Sequence, residues 1–293
     1  MYSDFLDCRQ ETAASVSYLA KSLVQSWKTK PPERYINILD LCTGTGCIPL
    51  LFHHELFNQS SFEPNIGRVV GIDISRHALK LAEENKVHCV QNIQGHQSNS
   101  TNLKHRTLRD LQFLQADILA NHNDASSVSN KLQNMQEEKS CSLNYDIMIS
   151  NPPYISTSAF RQTTSASVRK HEPKLALVPP VPLASTDQVP QDDGDLFYPK
   201  LYELATRFNT KVVLFEVADM EQALRVAGMA GDDWEVVEVW RDDPDAGGGE
   251  VENVNIGAGA ARRRVVVKGV GNGRSVVACR GEGLRWLGRA SGG

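Results

Sequence analysis

The sequence predicts a doubly wound α/β fold whose sheet is mostly parallel and closes with an antiparallel hairpin. The first observation is a short apolar strand, Ile36-Asn-Ile-Leu-Asp-Leu41. It runs into the glycine-bearing turn Cys42-Thr-Gly-Thr-Gly46 and then into an apolar helical stretch from Cys47 to Phe57. The second is that strand and helix patterns keep alternating to about Met229, which calls for crossover connections and a ligand site at the carboxyl ends of the strands. The third lies beyond Trp234-Glu-Val-Val-Glu-Val-Trp240, where a loop and a Gly-rich, Arg-rich stretch leave no room for another crossover helix. Ser275-Val-Val-Ala-Cys-Arg280 is therefore expected to lie antiparallel to Val236–Trp240.

Taken in order, Val16, Leu19, Ala20, Leu23 and Trp27 recur at helical spacing within residues 11–27, and Pro31-Pro32 forbids continuation. The strand at residues 36–41, its turn and its helix follow. Arg68-Val-Val-Gly-Ile-Asp-Ile74 reads as the second strand, with Ser75 as N-cap of a helix from Arg76 to Asn85. Leu111 to Ile118 and Tyr145 to Ser150 read as the third and fourth strands. Phe197, Leu201, Leu204 and Phe208 mark one face of a helix before a fifth strand, Thr210 to Val217, and a further helix follows from about Asp219 to Met229.

Composition narrows the function classes. Hydrophobic residues make up 41% and charged residues 23% of the 293, ordinary values that exclude wholesale disorder and fibrous repeats. A formal net charge of -4 and a pI near 6.1 lack the basic excess of most nucleic-acid binders, so no direct nucleic-acid partner is expected. Six cysteines (Cys8, Cys42, Cys47, Cys89, Cys141, Cys279) form no CxxC pair and no Cys/His cluster at zinc spacing, so neither a metal site nor a disulfide framework is expected. His53, His54 and His171 likewise lack ligand spacing. No apolar run reaches the roughly 18 residues of a membrane span. Residues 1–7 have neither signal-peptide nor transit-peptide character.

Segments 94–110, 121–144 and 179–193, rich in Ser, Asn, Gln or Pro, read as loop insertions, as does 243–273, and residues 281–293 read as a disordered tail. That division leaves an N-terminal segment and helix at 1–34 and one α/β domain at 35–280. The Arg262-Arg-Arg264 run reads as solvated loop in preference to an anion site.

Two motifs bear on chemistry. The turn from Cys42 to Gly46 needs glycine so that a ligand can approach the backbone and the chain can enter its helix through unusual dihedrals. Pro49 stands where a dinucleotide fingerprint would want a third Gly or Ala, which disfavours a nicotinamide cofactor. Asp73, ending the second strand, is placed either to accept both hydroxyls of a ribose or to cap the next helix. Asn151-Pro-Pro-Tyr154 directly follows a buried strand. Its prolines remove two backbone donors, leaving the Asn carboxamide oxygen and the Pro152 carbonyl as paired acceptors for one planar NH2 group. As a bare sequence it also serves as a turn.

Ile38-Leu-Asp-Leu-Cys-Thr-Gly-Thr-Gly-Cys-Ile48, Gly71-Ile-Asp-Ile74 and Asn151-Pro-Pro-Tyr-Ile155 together resemble class I S-adenosylmethionine-dependent methyltransferases that alkylate an amino group. Arg9-Gln-Glu-Thr12, His171-Glu-Pro-Lys-Leu-Ala-Leu177, Gly194-Asp-Leu-Phe-Tyr198 and Arg274-Ser-Val-Val-Ala278 narrow the resemblance to the release factor glutamine N5-methyltransferases, over residues 5–280 and in order. The resemblance implies a seven-stranded Rossmann-like sheet, S-adenosylmethionine as cofactor and a peptide chain release factor as protein partner. It places the methionine part of the cofactor over Cys42, Thr43, Gly44, Thr45 and Gly46, the ribose on Asp73, and the adenine near Asp117 and Ile118. Asn151, Pro152, Pro153 and Tyr154 would hold the substrate glutamine, with Asn151 also near the methyl donor.

There are departures. Gln10 replaces a Pro, and Cys42 stands where many members have Gly, so Cys42 is expected at negative φ or in an adapted turn. The family's N-terminal helical domain would precede Arg9. Residues 1–34 read as a remnant of its linker, and docking of the release factor is expected to belong to an extended form. Two other functions fit the same motifs: amino-group methylation of a nucleic-acid base, and a cofactor-binding protein without catalysis. By analogy with eukaryotic members of this motif set the compartment is mitochondrial, with cytoplasmic as the alternative.

Overall fold

The computed structural model describes residues 8–58, 63–93, 101–137, 143–162, 173–180, 192–246, 252–257 and 263–289. Helix α1 (Gln10–Thr29) precedes β1 (Ile36–Leu41), α2 (Cys47–Asn58), β2 (Ile66–Asp73) and α3 (Arg76–Ile93). Next come α4 (Thr101–Arg109), β3 (Gln112–Gln115), α5 (Val128–Glu137), β4 (Ile147–Ser150) and α6 (Thr157–Gln162). Helix α7 (Tyr198–Arg207), β5 (Val212–Glu216) and α8 (Met220–Gly228) lead to β6 (Val236–Asp243), β7 (Glu252–Ile256), β8 (Arg263–Lys268), β9 (Val270–Cys279) and α9 (Glu282–Trp286).

The strands form one sheet in the order β3-β2-β1-β4-β5-β9-β6-β8-β7. Strands β1 to β5 pair in parallel, and β9 returns antiparallel between β5 and β6, with Ser275 opposite both Glu216 and Trp240. The chain order reverses at β1, whose neighbours are β2 and β4, so the carboxyl ends of these three strands frame the crevice where such sheets bind ligands.

Period-two alternation splits the core into two layers. On β1, Leu39 and Leu41 face the cluster formed with α5, α7 and α8, while Ile36 and Ile38 face the one formed with α1 and α2. Val213 and Phe215 of β5 join the first cluster and Val212 and Leu214 the second. Each central strand is buried on both faces, which is why these segments read as nearly continuous apolar runs. No helix among the described residues is long and apolar enough to cross a membrane.

Several segments depart from the sequence expectation. The seven expected strands are present, but β7 and β8 extend the edge to nine. They lie inside 243–273, where a loop was expected. Arg263 and Arg264 belong to β8 and bond the Gly231 carbonyl and the Asn253 side chain, while Arg262 is outside the described residues. Helices α4 and α5 occupy parts of 94–110 and 121–144. In α5, Val128, Leu132 and Met135 recur at helical spacing and are buried, a pattern diluted by its polar neighbours. Residues 282–286 form α9 within the expected tail. Its Leu284 and Trp286 are buried, and Trp286 meets Trp27 of α1 edge-on at 6.3 Å. Two large apolar side chains in one turn suffice to dock it.

Candidate active site

The glycine-bearing turn joins β1 to α2 through three departures from ordinary backbone at alternate positions: Cys42, Gly44 and Gly46 have φ of 59°, 55° and 74°. Cys42 therefore sits in the left-handed region, so of the two expectations, a negative φ or an adapted turn, the structure shows the adapted turn, at a conformational cost of about 1–2 kcal/mol. The Thr43 N–H donates to the Ile72 carbonyl (2.9 Å), so the turn is pinned to β2 and the strain is held by the sheet.

The two glycines do different work. Around Gly44 a Cβ would meet nothing within 4 Å, so its backbone faces open space, as a ligand cradle requires. At Gly46 a Cβ would come within 2.6 Å of the Phe113 ring and 3.0 Å of Ala82. Gly46→Ala is expected to cost about 2 kcal/mol of stability, from the positive φ and the overlap with Phe113 together. Urea unfolding checks it, and an unchanged midpoint would show that the turn yields freely.

Asp73 ends β2 beside this turn. Its Oδ2 accepts from the Gly44 N–H and its Oδ1 from the Ser75 N–H, each at 2.8 Å. The carboxylate is thus oriented by backbone and is half-buried, with lone pairs left on both oxygens. Ser75 caps α3, its Oγ accepting from the Ala78 N–H at 3.3 Å. Asp117 and Ile118 follow β3 at the same edge: the Ala116 N–H donates to the Asp73 carbonyl (3.1 Å), and Asp117 Oδ1 accepts from the Leu119 N–H (2.9 Å). Asp40, just before the turn, is fully buried. Its carboxylate has no hydrogen-bond partner among the described residues, and burial raises its pKa well above the usual range.

Across the switch point, β4 delivers Asn151-Pro-Pro-Tyr154. Ser150 anchors it by donating from Oγ to the Leu41 carbonyl (2.8 Å). Pro152 and Pro153 are buried, Asn151 is half-buried, and the Asn151 carboxamide bonds no described residue. A cavity of about 170 Å³ opens here, lined by Asn151, Tyr154 and Ile155 from this loop, Cys8 and Arg9 just before α1 and Thr12 in its first turn, Cys47 of α2, and Ala176 and Leu177. The Ile155 N–H donates to the Leu177 carbonyl (2.9 Å), which fixes the last part of the Pro173–Leu177 element against the loop. His171 lies outside the described residues.

Tyr154 is held from three directions. Its hydroxyl accepts from Arg9 (3.0 Å) and donates to Glu216 Oε1 (3.1 Å), and its carbonyl accepts from Gln222 Nε2 (3.2 Å). Gln222 in turn donates to Asp195, which is paired with Arg225 at 2.7 Å. Gly194 passes close beneath, since a Cβ there would lie 2.6 Å from the Tyr154 carbonyl oxygen. Burial raises the Tyr154 pKa, and the nearby Glu216 carboxylate adds to the effect.

The structure brings Cys42–Gly46, Asp73, Asp117 and Asn151–Tyr154 to one edge of the sheet. It leaves the prolines out of the cavity wall. His53 is a buried helix residue bonded to Thr107 (2.8 Å), its pKa lowered to about 3 by desolvation, and it lies outside this site. Glu216 and Gln222 were not singled out from the sequence, and Asp195 entered only as part of the Gly194–Tyr198 motif, with no role given to it. Glu216 had a signal of its own: it ends a buried strand at the carboxyl edge, where polar residues are placed for ligands.

A methyltransferase domain profile matches residues 33–169. The chain is 30% identical over 243 residues to the probable MRF1 mitochondrial N(5)-glutamine methyltransferase mtq1 of Schizosaccharomyces pombe, covering 78% of this chain and 63% of that one. It is 28% identical over 211 residues to the release factor glutamine methyltransferase of Flavobacterium psychrophilum, covering 71% and 54% respectively. The mitochondrial MRF1 N(5)-glutamine methyltransferase MTQ1 of Saccharomyces cerevisiae is 31% identical over 143 residues, 49% of this chain and 33% of that one. The chain thus spans about half to three-fifths of the length of the first two. Among solved structures, an rRNA methyltransferase from Streptomyces viridochromogenes aligns with a TM-score of 0.41 at 13% identity over 100% of this chain and 96% of that one, too loose a likeness to argue from.

Proposed function

We propose that the chain, whose methyltransferase domain is similar to that of release factor glutamine methyltransferases, methylates the N5 amide of the glutamine in the Gly-Gly-Gln motif of a peptide chain release factor. The observation that supports this best is the pairing of two half-sites across one crevice. A glycine turn with open backbone and an oriented carboxylate stands on one side, and an unbound carboxamide in a cavity stands on the other. The names of two fungal relatives favour a mitochondrial release factor and a mitochondrial location.

S-adenosylmethionine supplies the electrophilic methyl group. Gly44 fits it because its bare backbone leaves room for a close approach, and Asp73 fits it because both carboxylate oxygens retain acceptor capacity for a ribose diol. Cys42, Thr43, Thr45 and Gly46 complete the cradle, and Asp117 and Ile118 take the adenine end. Asp73→Ala should weaken cofactor binding by about 1–3 kcal/mol, the usual loss for hydrogen bonds to a charged group. Calorimetry reads this directly, and an unchanged dissociation constant in a folded variant would remove Asp73 from the site.

On the acceptor side, an amide nitrogen is a weak nucleophile because its lone pair is delocalised into the carbonyl. The residues here act by placement: Asn151 and the Pro152 carbonyl accept the two N–H bonds and turn the nitrogen toward the methyl donor. A carboxamide takes up no proton at neutral pH, so Asn151 orients and is not a base. Labelled methyl transfer to a release factor with its Gly-Gly-Gln glutamine intact, against the same factor with that glutamine replaced, tests the proposal. Equal labelling of both would overturn it.

A further inference from the structure

We propose that Glu216 is a positioning residue for the acceptor amide, acting through Tyr154 and Thr12, and that it makes the first turn of α1 part of the acceptor site. The inference rests on the glutamine-methylation reading and concerns a residue outside the cofactor cradle and the acceptor pair of Asn151 and the Pro152 carbonyl.

Glu216 is the last residue of β5 and is 5% exposed. Its two carboxylate oxygens fork to two different elements: Oε2 accepts from Thr12 Oγ1 in α1, and Oε1 accepts from the Tyr154 hydroxyl in the loop after β4. The Tyr154 hydroxyl has one proton, and that proton goes to Glu216. Its lone pair is then free to accept from Arg9, three residues before Thr12. Four side chains make three hydrogen bonds, Arg9 to Tyr154, Tyr154 to Glu216 and Thr12 to Glu216, and the backbone closes the loop because Arg9 is the N-cap of α1 and Thr12 lies in its first turn.

This loop stands directly against the candidate acceptor group. A second cavity, about 10 Å³, is lined by Thr12, Ser15, Ser150, Asn151, Glu216 and Ser275 among others. Glu216 and Asn151 therefore share a wall, while Arg9, Thr12, Tyr154 and Asn151 share the larger cavity. The backbone of Tyr154 is clamped independently by Gln222. The Tyr154 carbonyl, the Ser150 hydroxyl and the Ile155 N–H are anchored elsewhere, and the hydroxyl bonds fix the Tyr154 ring, which lines the same cavity as Asn151.

Fold stability alone does not call for a carboxylate here. Burial raises the Glu216 pKa, opposed by the bonds from Thr12 and Tyr154 and by the charges of Arg9 and Arg274. A buried charge held by such partners breaks about even against an apolar side chain. Its distinctive property is geometric: one planar group accepting in two directions sets the distance between α1 and the loop. Methyl transfer to a weak nucleophile is sensitive to placement on that scale, since a misplacement of about 1 Å can cost 10²-fold in rate.

The test uses the full chain with Glu216→Gln, Tyr154→Phe and the double variant, each checked for melting temperature and cofactor affinity. Glu216→Gln keeps the shape and one acceptor oxygen but turns a donor toward Thr12. Each single variant should lower kcat for release-factor methylation roughly 10–100-fold, with KM and cofactor affinity within about twofold of wild type. The double variant should be no slower than the worse single, because both break one loop. Near wild-type kcat, additive losses, or a fall confined to KM would overturn the inference while leaving the methylation reading intact. Hydrogen exchange of the peptide spanning residues 151–156 gives a readout independent of any acceptor. It should speed up in Glu216→Gln while the Cys42–Gly46 turn stays protected, and unchanged exchange would overturn the inference even if the wild type methylates no release factor.

Discussion

Asn151→Ala should lower turnover roughly 10²–10³-fold, by analogy with deleting one preorganised polar contact in other active sites. On the proposed reading, the substitution removes one of two acceptors for the amide NH2 and leaves the Pro152 carbonyl alone, so the nitrogen would be held at one point and free to swing. The fold should be retained, because the Asn151 side chain bonds no described residue and is only half-buried. Cofactor affinity should change little, since Asp73 and the glycine turn are untouched. Asn151→Asp keeps an acceptor oxygen but brings a negative charge beside the sulfonium, so cofactor should still bind while methyl transfer suffers from altered placement. Single-turnover methyl transfer at saturating cofactor and release factor is the decisive measurement. A near wild-type rate for Asn151→Ala would reduce the motif to a turn.

The largest stability effect is expected at Glu238, far from the candidate site. Its carboxylate is buried in β6 and accepts from Arg289 (2.6 and 3.0 Å), Lys268 (2.7 Å) and the Trp240 indole (2.8 Å). It thereby ties the segment after α9 and the end of β8 to the sheet. Glu238→Ala leaves two cations facing each other without a counter-charge. Breaking a buried pair in this way costs about 3–5 kcal/mol, and because Arg289 and Lys268 are about one-fifth exposed the lower end, about 3 kcal/mol, is expected. Urea unfolding of wild type and variant measures it. Burial opposes the charged form of Glu238, but Arg289 and Lys268 more than offset that, so its pKa is lowered. A lowered folded-state pKa contributes stability that is present above the unfolded value, about 4.3 for a glutamate, and is lost as pH falls through the folded value. The wild-type advantage should be full at pH 7 and shrink below about pH 4. A gap that stays constant down to pH 3 would show that packing, not charge, holds this corner.

Legibility in the sequence followed contact range. The β1 strand, its turn and α2 were readable because each depends on neighbours a few residues away: apolar continuity for a strand buried on both faces, glycine for positive φ, 3.6-residue spacing for a helix. The closing hairpin was readable from the lack of a crossover helix after Trp240. Helices α4 and α5 and strands β7 and β8 were not, because their apolar positions are sparse and their burial depends on partners distant in sequence. The same holds for α9, whose docking needs Trp27, more than 250 residues earlier.

At the candidate site, residue chemistry alone marked the glycine turn, Asp73 and Asn151-Pro-Pro-Tyr154, since a bare backbone, a strand-end carboxylate and paired prolines have few uses. That Cys42 adopts a left-handed conformation was decided by tertiary structure, through the bond from Thr43 to the Ile72 carbonyl that holds the turn against β2. So was the joining of Arg9, Thr12, Tyr154 and Glu216, which lie up to 207 positions apart in the chain. A hydrogen bond is directional and short-ranged, so which donor meets which acceptor is settled only when the sheet places α1, the β4 loop and the end of β5 side by side.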